Sequence, residues 1–101
     1  MNNDLGNIKH ISGEYTFSYT SNYFLTVDVP FPYTVTSNQS VHVLTQITLN
    51  SYKTAKFNTV LAEYNRSKNV IAISLGSRNG EFEKSETLKL NIEILAFIMP
   101  K

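Results

Sequence analysis

The side chains able to do catalysis are few in this chain, and they are scattered. There are two histidines and no cysteine, which removes disulfide bridges, thiolate zinc sites and cysteine nucleophiles together. His10 stands in a polar amino-terminal stretch and His42 on the outward side of an alternating run. Neither offers a zinc-ligand spacing or an imidazole-based triad, so both read as surface histidines. Glu81 and Glu83 match in type the carboxylate pair of a glycosidase, but beside Lys84 they read as a solvated charge cluster. Gly6, Gly13, Gly76 and Gly80 form no phosphate-cradling loop ahead of a helix. With no acid, base and nucleophile in one arrangement, the chain is expected not to be an enzyme, and to carry no metal or cofactor.

Binding chemistry has more material. Carbohydrate recognition uses hydrogen-bonding side chains on exposed loops beside an aromatic surface. Tyr64, Asn65 and Arg66 at one turn and Ser77, Arg78 and Asn79 at another supply those types. The expected ligand-binding residues are therefore Tyr64, as a stacking surface, with Asn65, Arg66, Arg78 and Asn79 as hydrogen-bonding groups. Each loop taken alone also fits an ordinary polar turn. Asn38-Gln39-Ser40 and Asn65-Arg66-Ser67 fit the glycosylation triplet, a short and common pattern read here as turns.

These loops need strands to hold them. Good helix formers are thinly used, while β-branched and aromatic residues recur in short runs. Glu14 to Tyr19 places Tyr15, Phe17 and Tyr19 on one face of a strand, and Tyr23 to Val29 does the same for Leu25, Val27 and Val29, ending at Pro30 and Pro32. Val41 to Leu49 alternates most clearly, with Val41, Val43, Thr45, Ile47 and Leu49 inward, and is expected to be central. After a polar loop at Asn50 to Lys56, Phe57 to Tyr64 and Asn69 to Leu75 read as a hairpin, and Asn79-Gly80 as a tight turn. The last strand, Thr87 to Met99, turns Leu88, Leu90, Ile92, Ile94, Ala96 and Ile98 inward. Its outer side starts polar, with Lys89, Asn91 and Glu93, and ends apolar, with Leu95, Phe97 and Met99. Something must cover that end: either the chain's own amino-terminal arm or a neighbouring subunit, and Leu95, Phe97 and Met99 are taken as an oligomer interface. The fold class expected is all-β, a six-stranded antiparallel β-sandwich over residues 13–101, preceded by an arm over residues 1–12.

Composition narrows the partners. At 101 residues, 42% hydrophobic, the chain is one domain with one core. Nine basic against eight acidic residues give a formal charge of +1, far from the basic footprint of a nucleic-acid binder. Ile94 to Met99 is too short to span a bilayer, so no membrane insertion is expected. The first residues, Met1-Asn2-Asn3-Asp4, do not resemble a signal peptide.

The order of features from Ile11 to Ile98 resembles the H-type lectin-like domain, a six-stranded antiparallel sandwich of invertebrate agglutinins and of phage tail and fibre proteins. The likeness rests on Ile11-Ser12-Gly13 opening the first strand, Val27-Asp28-Val29-Pro30-Phe31 closing the second, Val41 to Leu49, the hairpin within Phe57 to Leu75, and the closing Leu90 to Ile98. Members of that family commonly carry a tryptophan in the closing strand and an aromatic-histidine pair in the preceding loop. This chain has no tryptophan and places Ser77-Arg78-Asn79 there. What the resemblance implies is a homotrimer on a virion, made in the host cytoplasm, that presents loops to a cell-surface glycan. The alternative is a structural virion protein, a capsid decoration or tail-assembly subunit, that contacts other virion proteins through residues 1–12.

Overall fold

The computed structural model describes residues 2–5, 7–48 and 57–101. Leu49 and the polar loop expected at Asn50 to Lys56 lie outside them. The described residues form seven strands: β1 (Asn2–Leu5), β2 (Ile8–Ser21), β3 (Phe24–Pro30), β4 (Gln39–Thr48), β5 (Thr59–Asn65), β6 (Val70–Gly76) and β7 (Thr87–Pro100). Every pairing is antiparallel. The all-β expectation is met, but hydrogen bonds join the strands into one sheet, in the order β4-β7-β2-β3-β6-β5, where two facing sheets were expected. The sheet curls until its two edge strands approach, so that it is nearly a barrel.

The reason for one continuous sheet lies in β2 and β7, each fourteen residues long. They pair without interruption from Ile8↔Phe97 to Ser18↔Thr87. On its other edge β2 pairs first with β1, at Asn2↔Ile11 to Leu5↔Ile8, and later with β3, at Ser18↔Thr26 to Ser21↔Phe24. A strand long enough to change partners carries the sheet past the point where it would otherwise end, and right-handed twist curls the result. Residues 2–5 and 8–12, expected as an arm, are thus strands. The alternation there is hidden because the inward position before Ile11 is Lys9, whose ammonium lies 4.8 Å from the centre of the Tyr33 ring.

Side-chain alternation then fills the inside. Phe17, Leu25, Val29, Ile71, Ile73, Leu75, Leu90, Ile92, Ile94 and Ala96 are all buried on the concave face, as the expected strand faces required. Two further phenylalanines close the ends. Phe31 follows β3 and Phe82 follows β6, strands that finish at opposite ends of the sheet, and both rings are buried. The alternation of β4 is as read, with Leu44 outward and 62% exposed. Its position is not: β4 is an edge strand, and none of its inward residues is fully buried.

Candidate functional site

The sheet has two loop-bearing ends, and the expected ligand-binding residues are divided between them. Tyr64, Asn65 and Arg66 lie where the register of β5 and β6 closes at Asn65↔Val70, and Arg78 and Asn79 lie beyond the opposite limit of β6, at Gly76. The six steps of β6 between them amount to about 20 Å. One monomer cannot use both groups on a single small ligand.

At the first end the candidate side chains are occupied by the fold. The Tyr64 hydroxyl donates to Asn69 Oδ1 at 2.6 Å, and Asn69 Nδ2 donates to the carbonyls of Phe31 at 3.0 Å and Tyr33 at 3.3 Å. Asn69 can do this because its backbone is left-handed, with φ of 53°, a conformation asparagine tolerates better than most residues. Edge contacts of Phe31 with Tyr33 and Tyr64, at 5.2 and 5.5 Å between ring centres, hold the aromatic cluster. Arg66 donates from Nη1 to the Thr36 carbonyl at 3.1 Å and from Nη2 to the Gln39 carbonyl. Asn65 Oδ1 accepts from the Ser67 hydroxyl at 2.9 Å and the Lys68 amide at 3.1 Å, closing the turn.

The second end leaves its tip free. Ser77 is buried; its amide donates to the Tyr23 carbonyl at 2.9 Å and its hydroxyl accepts from the Glu81 amide at 3.0 Å. The Phe82 amide donates to the Asn22 carbonyl at 3.0 Å, and the Tyr19 hydroxyl donates to Asn22 Oδ1. This bracing from both sides lifts Arg78 and Asn79 into solvent. Gly80 has φ of 65°, and a Cβ placed on it would lie 3.0 Å from Tyr23 Cζ, so the Tyr23 ring rests on the turn. That ring is 54% exposed. The second end therefore joins an open aromatic surface to an exposed guanidinium and an exposed amide. The sequence pattern places Tyr23 at the start of a strand, whereas the structure puts it in the turn before Phe24; its position beside Asn22 is the signal for that turn.

The proposed oligomer residues lie side by side on the convex face. Register rows across β4, β7 and β2 read Ser40-Met99, His42-Phe97-Ile8 and Leu44-Leu95-His10. Leu95 is 38% and Met99 46% exposed, with Phe97 half-buried. The backbone of β1 extends the sheet beside β2 and does not fold back over this face. Polar groups border it: His10 Nε2 lies 3.6 Å from Glu93 Oε1, and Ser40 Oγ lies 3.3 Å from His42 Nε2. Among the described residues no three of His, Asp and Glu gather as metal ligands. No protein-family model, no curated protein and no solved structure matches the chain.

Proposed function

We propose that this chain is a non-catalytic binding module, lectin-like in the manner of phage fibre domains, that holds a cell-surface glycan at the end carrying Tyr23, Arg78 and Asn79. The observation that supports this reading is the exposed Tyr23 ring resting on Gly80 beside two exposed hydrogen-bonding side chains. A sugar ring offers apolar C–H faces to an aromatic surface and hydroxyls to a guanidinium and an amide. The loop is pre-ordered by the Ser77 and Phe82 hydrogen bonds, so little freedom is lost on binding.

A single shallow site of this kind binds weakly. Assembly as a trimer through Leu95, Phe97 and Met99 compensates, since linked sites on a repetitive surface gain avidity without any new contact. The strands of the two-sheet sandwich implied by the resemblance correspond, in this reading, to opposite walls of the curled sheet.

A glycan array probed with the purified chain tests the proposal. Binding is expected to fall by at least about tenfold in Tyr23→Ala and in Arg78→Ala, the loss of one central contact, and to persist in Lys89→Ala, on the convex face. Retention of full binding in both loop variants, or no bound glycan from an oligomeric sample, would overturn it.

A further inference from the structure

The two edge strands, β4 and β5, meet without pairing. They run antiparallel and their Cα atoms come within 8 Å, yet they are not neighbours in the hydrogen-bonded order, and among the described residues no backbone bond joins them. The direction of their free groups follows from the ladders behind them, because an antiparallel strand presents alternate residues to each side. The Lys101 amide donates to the Asn38 carbonyl at 2.8 Å. Through Ser40↔Met99, His42↔Phe97 and Leu44↔Leu95, this makes the even-numbered residues of β4 the ones bonded to β7. Val41, Val43, Thr45 and Ile47 therefore point their N–H and C=O groups into the seam.

On the other wall, the Phe31 amide donates to the Asn69 carbonyl at 3.2 Å, which turns the odd-numbered residues of β6 toward β3. Its even-numbered residues bond to Thr59, Leu61 and Glu63 of β5, leaving Val60 and Ala62 facing the seam. The cleft between the walls, of about 310 Å³, is lined by Val43, Leu44, Thr45, Val60, Leu61 and Ala62. Leu44 and Leu61 flank it on the outside, 62% and 60% exposed. Within it the buried Thr45 hydroxyl has no hydrogen-bond partner.

We infer that the β4–β5 seam is a docking site for an extended polypeptide strand with alternating apolar side chains. Free main-chain donors and acceptors along both walls need a main chain to satisfy them, and the flanking leucines need apolar side chains, a combination that only a β-strand supplies. A second folded copy is a poor occupant, because its own free edges are hemmed into its own seam. A single peptide is one strand wide. The carboxylates lining the neighbouring grooves, Glu63 and Glu93, favour a peptide with basic flanks. The incoming strand lies antiparallel to the longer wall, β4. It needs two strand spacings, about 9.6 Å, between the walls, so the β5–β6 hairpin must swing outward. Arg66, which ties the tip of that hairpin to Thr36 and Gln39, is the clasp that resists the swing. This site lies apart from the Tyr23 end and does not depend on glycan binding there.

Amide hydrogen exchange of the whole chain, followed by NMR, tests the inference. The probe is a lysine-flanked peptide of alternating valine and threonine; its control is the same peptide N-methylated at every second residue, which keeps the side chains but loses the edge-facing N–H groups. In the free chain the Val43, Thr45 and Ala62 amides are expected to exchange fast and those of Leu44 and Leu61 slowly. Adding the probe should slow the first set by at least about tenfold while the control does not, and Arg66→Ala should bind the probe more tightly. Protection of Val43, Thr45 and Ala62 in the free chain, equal effects of probe and control, or no effect of the probe would each overturn it.

Discussion

At Gly80 the backbone φ is 65° and a Cβ would lie 3.0 Å from Tyr23 Cζ, a contact tight enough that the ring must shift. An alanine there adopts the left-handed region at a cost of about 1–2 kcal/mol and pushes the ring off the turn. Gly80→Ala should therefore lower the unfolding free energy measured in urea by that amount and, on the proposed reading, reduce glycan binding as well. Thr45 predicts the opposite sign. Its hydroxyl is buried without a partner, and an unsatisfied buried polar group costs about 1–3 kcal/mol. Thr45→Val keeps the branched shape and removes that group, so equilibrium unfolding should show a more stable protein. A loss of stability would mean the hydroxyl is bonded. At this scale the sequence was informative about conformation and silent about distant bonding partners. Asn79-Gly80 read correctly as a tight turn, whereas nothing in the sequence marked that Arg66, read as a ligand-binding residue, donates from Nη2 and Nη1 to carbonyls 27 and 30 residues away. No local pattern encodes a bond across that distance.

Among the elements, β4 and β7 show how far periodicity reaches. Period-two alternation identified which side chains of each strand face inward, because that depends only on the pleat. It could not rank the strands. The clean alternation of β4 suggested a central strand, but alternation describes faces and is silent about edges; pairing on one side only makes β4 a border of the seam. The β5–β6 hairpin is the opposite border, and Arg66 couples the two. Arg66→Ala removes both bonds and should cost about 1 kcal/mol in thermal or denaturant unfolding. It should also raise exchange at β5 amides more than at β2 or β7, whose pairing continues from Ile8 to Ser18. Uniform destabilisation of all strands would argue against a clasp.

The molecule as a whole carries three surfaces with different chemistry: the Tyr23 end, the apolar row of β7 and the seam. The β7 row is tested by Phe97→Asp, which places a charge among Ile8, His42 and Leu95 neighbours. Light scattering should show an oligomeric parent and a folded monomeric variant, because burying an unpaired charge at an interface costs several kcal/mol. A monomeric parent would remove the avidity argument and leave the Tyr23 end as a solitary weak site. By itself the sequence determined that the chain is all-β, where most strands lie, which side chains of those strands turn inward, and that Asn79-Gly80 forms a tight turn. Each of these is set by a residue and its near neighbours along the chain. Only the tertiary structure decided that residues 2–5 and 8–12 are strands and that, among the described residues, one curled sheet holds every strand. It alone left β4 and β5 facing each other unpaired. Those outcomes depend on which strand edges meet, and hydrogen bonding between edges uses the backbone, which is the same at every position and leaves no mark in the order of side chains.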